Sequence, residues 1–240
     1  MLNSPTASHL DTLATTKISI IIPVLNEASS IAGVIQQALT GKNIEIIVSD
    51  GGSKDQTIEV INSLGVTMIQ SLPGRAQQMN QGAKQATGDI LLFLHADTYL
   101  PDGFDDAIRQ ILTQPQTVAG AFQLKISAHL QGIRWVEKMV NLRSRLLQFP
   151  YGDQAIFLKS STFWQIGGFP SLPIMEDFEL IQQLRKQGRI TIASMAVLTS
   201  GRRWQHLGIL KTTLLNQLII LGYFLGISPQ QLAQCYRRHK

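Results

Sequence analysis

Acids and amides stand just beyond apolar runs in this chain. Asn26 and Glu27 follow Ile18 to Pro23 ("ISIIIP"), Asp50 follows Ile44 to Ser49 ("IEIIVS"), and Asp97 follows Ile90 to His95 ("ILLFLH"). A carboxylate in such a place can hold Mg or Mn through oxygen. Such a cation keeps several waters and needs only one or two protein ligands when phosphates complete its shell. Gly51 and Gly52 let the backbone come close to a ligand. Taken singly, Asn26 and Asp50 read as turn formers. Taken together, the strand ends favour a site, because open parallel sheets bind ligands beyond the carboxyl ends of their strands. Further acids follow in "YGDQ" (Asp153) and "MED" (Glu176, Asp177). Acids also suit a helix N-terminus through the macrodipole, so spacing alone leaves the Glu176–Asp177 pair open.

These residues need elements to position them. After the first apolar run, Ile31, Val34, Ile35, Ala38 and Leu39 fall at helical spacing. "SKDQTIEVINSLG" predicts a helix with Ser53 as N-cap, Gln56 completing a capping box and Gly65 as terminator. "VTMIQS" is a third strand, Arg75 to Thr87 a small-residue helix, and Ile90 to His95 a fourth strand. Near-continuous apolar strands alternating with helices indicate a parallel sheet covered on both faces. Beyond Pro101 the spacing predicts a helix over Phe104 to Leu112, a strand at "GAFQLKI", a helix over Ile133 to Leu147, a strand at "QAIFLK" and a helix over Glu176 to Gln187. The fold class is therefore α/β, with a mostly parallel central sheet, helices on both faces and an elaborated C-terminal half.

The composition is that of a somewhat greasy globular domain, 44% apolar and 15% charged. The single cysteine, Cys235, cannot form an internal disulfide, which points to a cytoplasmic setting. Residues 1–17 lack the apolar core of a signal peptide and read as a loose polar leader. The net charge is +5, with Arg202, Arg203, Lys211, Arg237, Arg238 and Lys240 near the C-terminus. No zinc-finger spacing, RNP-type motif or long basic run accompanies them, so nucleic acid is not the expected partner. No G-x-G-x-x-G follows the first strand, and the chain lacks P-loop, G-x-S-x-G and H-E-x-x-H motifs.

"ISIIIPVLNEASSIAGVIQQAL", "EIIVSDGGSKDQT", "GRAQQMNQGAKQATGDILLFLHAD", "GDQAIF", "GGF" and "MEDFEL", in this order and spacing, resemble family 2 glycosyltransferases of the GT-A fold. The resemblance spans roughly Ile18 to Gly188. "RRW" and "LGISPQQLAQCYR" look like a compact bacterial subgroup labelled arsenosugar-biosynthesis or diaponeurosporenoate-type glycosyltransferases. It implies an inverting transfer from a nucleoside-diphosphate sugar, with a UDP-sugar favoured, and a divalent cation. By position, Pro23, Asn26 and Glu27 match the loop around the nucleotide. Asp50 matches the acid that hydrogen-bonds the base, usually uracil, and Arg75 a basic residue near the nucleotide. Asp97 matches the metal-binding acid of a D-x-D motif whose first acid is here His95. Asp177 matches the catalytic base and Glu176 its neighbour in the acceptor pocket, with Asp153 a second carboxylate for acceptor or donor sugar. Arg202, Arg203 and Trp204 resemble, without the glutamine, the Q-x-x-R-W motif of processive relatives. A diphosphate or acceptor contact and a surface basic pair beside a packed tryptophan stand as equal readings. The implied domain covers 18–200, with a nucleotide half over about 18–100 and an acceptor half over about 101–200.

Residues 201–240 form a hydrophobic helical extension. "TTLLNQLIILGYFLGI" is short of the ~20 apolar residues of a membrane span. Its alternatives are packing on the domain's own core, a homodimer contact through 207–227, or a peripheral contact with anionic lipid at the inner face of the plasma membrane. Two other functional classes fit the opening pattern. A nucleotidyltransferase would carry a glycine-rich basic loop after the first strand, which "PVLNEAS" lacks. A non-catalytic nucleotide-sugar-binding or membrane-surface module would not need both Asp97 and Asp177.

Overall fold

β-Branched runs become strands, and the amphipathic or small-residue runs between them become helices. The computed structural model describes residues 16–238. Most of the expected leader, and Lys240 of the basic tail, lie outside them. The first half runs β1 (Ile18–Val24), α1 (Ile31–Ala38), β2 (Ile44–Asp50), α2 (Thr57–Ser63), β3 (Thr67–Gln70), α3 (Arg75–Gln85) and β4 (Ile90–Phe93). There follow β5 (Thr98–Tyr99), α4 (Phe104–Leu112), β6 (Thr117–Ser127), α5 (Ile133–Leu147), a 3₁₀ turn (Gly152–Gln154), β7 (Ile156–Lys159), α6 (Ser160–Gln165), α7 (Glu176–Gln187) and β8 (Arg189–Ser200). The extension is α8 (Arg202–Leu207), α9 (Ile209–Phe224) and α10 (Pro229–Arg238).

One eight-stranded sheet has the order β3-β2-β1-β4-β7-β6-β8-β5. β1 pairs in parallel with β2 (Ile18 opposite Ile44, Val24 opposite Asp50) and with β4 (Ile18 opposite Ile90). This register ends the apolar strands at one edge, where their polar successors gather. β7 enters between β4 and β6, antiparallel to both. β6 and β8 run parallel to each other, so the sheet is mixed.

Alternation along β1 divides the core. Ile20 and Ile22 join Ile31, Val34 and Ile35 of α1 on one face, whereas Ile21 joins Leu91, Phe93 and Ala76, Met79 and Ala83 of α3 on the other. Full burial of one such isoleucine contributes roughly 1.5–3 kcal/mol relative to exposure. α3 approaches β1 closely: a Cβ on Gly82 would stand 2.5 Å from Ile21 Cγ2. Its small residues are therefore a packing requirement.

Two local expectations are corrected. The Ser53–Gln56 capping box does not form, because α2 starts only at Thr57. The Ser53 N–H instead donates to Asp50, and the Ser53 hydroxyl accepts from the Asn26 N–H at 2.9 Å. The fourth strand ends at Phe93 rather than His95. Among the described residues no helix is long and apolar enough to cross a membrane. α9 buries Leu215 and Ile219 against the second core cluster and leaves its other side in solvent.

Candidate active site

The loops after β1 and β2 are built as one unit. Asn26 has φ 57°, a left-handed conformation that asparagine tolerates, and its Oδ1 accepts from the Lys54 N–H at 2.8 Å. Asp50 is buried and accepts from the N–H groups of Gly52 (2.8 Å) and Ser53. It thus shapes the loop as a turn former. Buried Gln78 of α3 completes the unit, its Nε2 donating to Val24 O (2.7 Å) and Ser49 O (2.8 Å) at the ends of β1 and β2. A Cβ on Gly51 would meet the Gln78 side chain at 3.0 Å, so the loop lies directly on that amide. Gln78 escaped the sequence reading. Its only signal is a glutamine placed among the small buried residues of α3.

Beside this unit, Glu27 and Asp97 converge on one nitrogen. Arg202 Nη2 donates to Glu27 Oε2 at 2.8 Å and to Asp97 Oδ2 at 3.0 Å. The hydrogen bond to Glu27, then that to Asp97, raises the arginine's pKa. Arg202 is half exposed, and ion pairs of that kind are worth roughly 0–1 kcal/mol. The adjoining cleft, about 260 Å³, is lined by Asp97, Arg202 and the hydroxyl residues Ser29, Ser30, Thr199 and Ser200 among others. No group of three or more His, Cys, Asp or Glu side chains among the described residues could form an all-protein metal cage. Two carboxylates sharing one cationic nitrogen do fit Mg or Mn, which take one or two carboxylates and leave the remaining positions to water and phosphate. Pro23 lies half-buried in β1 nearby.

A second cluster joins the two halves of the chain. Asp177, second residue of α7, accepts from the Gly152 N–H at 2.7 Å through Oδ2 and from the Phe178 N–H through Oδ1. A Cβ on Gly152 would stand 3.1 Å from Asp177 Oδ2 and 3.2 Å from His95 Nε2. Glycine there lets the turn lie against both. Arg75, Phe93, His95, Gly152, Phe169 and Asp177 line a small cavity. Arg75 reaches Glu176 Oε1 at 3.3 Å. Burial raises the Glu176 pKa, with Arg75 opposing and Asp177 adding to the rise. Burial likewise pushes Asp153 up to about 6, against the pull of Arg143 and with a push from Asp177.

Two further residues belong here that the sequence did not single out. Arg143 lays its guanidinium 3.6 Å from the ring centroid of Tyr151, the neighbour of Gly152. Its Nε and Nη2, like Asp153 Oδ1, are buried without a hydrogen-bond partner among the described residues. Arg203 and Trp204 stand apart from this cluster. Arg203 stacks 3.8 Å over Tyr236 of α10, its pKa lowered by burial, and Trp204 packs against the first core cluster.

The arrangement is a polar cleft lined by Asp97 and Arg202, together with a carboxylate cluster around Asp177. The profile of "Glycosyl transferase family 2" matches residues 19–170. An uncharacterized glycosyltransferase of Haemophilus influenzae is 26% identical over 187 residues, covering 72% of this chain and 64% of the relative. The succinoglycan biosynthesis protein ExoA of Rhizobium meliloti is 28% identical over 204 residues, covering 74% and 61%. The chain therefore spans less than two thirds of either relative. Among solved structures, the fold is similar to that of a mannosyltransferase from Pyrobaculum calidifontis in complex with GDP-Man and Mn²⁺ (TM-score 0.59, 18% identity, 76% of this chain and 56% of that one). It is also similar to S. aureus TarS 1-349 in complex with UDP (TM-score 0.62, 18% identity, 77% and 60%). At such identities the likeness shows the GT-A fold and no more. With the profile covering well over half of its length, the chain belongs to glycosyl transferase family 2.

Proposed function

We propose that this glycosyltransferase is an inverting enzyme that moves a sugar, of hexosyl type, from a nucleoside diphosphate to an acceptor hydroxyl, with Asp177 as the base. The observation that carries this reading is the placing of Asp177. Its carboxylate is fixed by the Gly152 N–H at the wall of a cavity that His95 and Arg75 also line. A carboxylate so held keeps lone pairs for an acceptor proton. In the reaction the acceptor oxygen forms its bond to the anomeric carbon as its proton passes to Asp177. The bond from that carbon to the diphosphate breaks on the opposite face.

Asp97 and Glu27 are the residues that would hold a divalent cation. When bound, that cation would neutralise charge on the departing diphosphate. Arg202, released from the two carboxylates, is in reach of the same cleft and can pair with phosphate oxygens. UDP is the favoured nucleotide, with Asp50 and the loop it shapes on the base side. The mannosyltransferase was solved with GDP-Man and TarS with UDP, so both donor classes belong in the test. "RRW" and "LGISPQQLAQCYR" support a place in the compact bacterial subgroup.

The test is a donor panel with and without manganese. Free nucleoside diphosphate should appear with one donor class, faster with acceptor alcohol present, and with inverted configuration in the product. Release that never depends on an acceptor would contradict transfer, and retained configuration would contradict the single displacement.

A further inference from the structure

α5 and α9 present apolar side chains to solvent that the rest of the fold leaves uncovered. Trp135 (63% exposed), Met139 and Leu146 (71%) stand out from α5, and Leu210 (87%), Leu214 and Leu221 from α9. A helix apolar around its whole circumference ordinarily lies within a core or against lipid. α9 comes close to this, interrupted by Lys211, Asn216 and Gln217, yet only one side of it is buried.

The two helices are tied together at both ends. At the start, a Cβ on Gly132, the N-cap of α5, would lie 3.6 Å from the side chain of Ile209, the first residue of α9. At the finish, Phe149 just past α5 and Tyr223 and Phe224 of α9 all stack on Phe178, with ring centroids 4.6, 5.7 and 5.5 Å away. Phe178 is the residue after Asp177. Tyr223 also donates to Glu179 of α7 at 2.5 Å.

Charge selects the occupant. Residues 201–240 contain no aspartate or glutamate; Arg202 is held by Glu27 and Asp97 and Arg203 lies against Tyr236, while Lys211, Arg237 and Arg238 are exposed. On α5 the one acid, Glu137, is buried and taken by Arg134 and by the Ile126 N–H, while Lys138 is exposed. Exposed leucines flanked by cations without acids are the composition of an interfacial element on anionic lipid. A second copy of this chain would set cation against cation across a two-fold axis.

We infer that the exposed faces of α5 and α9 form a docking platform for an anionic membrane surface, held through Phe178 at a fixed distance from the Asp177 cavity. The docking does not depend on the proposed chemistry, because it is read without donor or turnover.

The experiment is co-sedimentation of the full chain with phosphatidylcholine vesicles, with and without phosphatidylglycerol. Binding should require the anionic lipid, fall with added salt, and blue-shift tryptophan emission in a way that Trp135→Phe abolishes. Leu214→Glu should weaken binding at least about tenfold, because it places a carboxylate in the apolar face. Lys138→Glu/Lys211→Glu, on exposed side chains, should weaken it while leaving the thermal melt unchanged. The inference is overturned if anionic vesicles do not sediment the chain, if binding ignores both variants, or if light scattering shows a dimer that Leu214→Glu dissolves.

Discussion

The loops after β1 and β2 and the cluster around Asp177 spend their polar groups differently. In the first, the side chains serve the backbone: Asp50 holds the N–H groups of Gly52 and Ser53, Asn26 that of Lys54, and Gln78 the last carbonyls of β1 and β2. In the second, strong groups are left short of partners. Asp153 Oδ1 and Arg143 Nε and Nη2 are sealed from solvent without hydrogen bonds among the described residues. Buried polar groups are normally satisfied, so unsatisfied ones mark where the protein has given up stability. Apart from Ser49 Oγ, the loops after β1 and β2 leave few buried polar atoms without partners among the described residues, whereas the Asp177 cluster holds charge in reserve.

One way to break this contrast lies at Asp97, beside these loops. Asp97→Asn exchanges a charged oxygen ligand for a neutral amide. Calorimetric titration with UDP and GDP sugars should lose the gain in affinity that manganese gives, by at least about tenfold. An unchanged manganese effect would remove Asp97 from the metal.

The next probes the reserve. Asp153 is raised to about 6 from 3.8, so the folded state binds its proton more tightly than the unfolded chain. The favourable contribution is fully present below the unfolded value and is lost as pH rises through about 6. A shift of this size corresponds to about 3 kcal/mol. Asp153→Asn should therefore leave stability nearly unchanged near the unfolded pKa and raise it at pH above the folded one. Denaturant melts across that window check this, and a variant equally destabilised throughout would contradict the burial argument.

A smaller effect tests the loop unit itself. Gln78→Ala removes two buried hydrogen bonds, one to Ser49 O and one to Val24 O, which keeps the Gly51 N–H, and should cost about 2 kcal/mol in a urea melt. It should also loosen donor binding, because the Gly51 loop rests on that amide. A variant as stable as the parent would show that water replaces the amide freely.

How much of this was legible follows the same division. α5 and α7 were read to the residue, because apolar spacing reports which face of a helix is buried. The gathering of acids at one sheet edge was legible too, since each follows its own strand. Spacing carries no information about which strands become neighbours, so the antiparallel entry of β7 was not. Nor was the Arg202 bridge to Glu27 and Asp97, whose partners lie 175 and 105 residues away in the chain. The Ser53 cap failed because Asp50 and Asn26 claimed the loop through contacts that only the folded sheet edge brings together. Gln78 and Arg143 read as ordinary polar faces of helices until burial set them against backbone and ring.

The central claim is that Asp177 takes the acceptor proton, and it is tested by turnover of Asp177→Asn and Asp153→Asn beside donor titration of each. Asparagine keeps the shape and removes the proton acceptor. The account predicts that Asp177→Asn binds donor as the parent does and transfers at least about a hundredfold more slowly, while Asp153→Asn loses far less rate. Normal turnover in Asp177→Asn with a dead Asp153→Asn would contradict it and move the base to the buried aspartate.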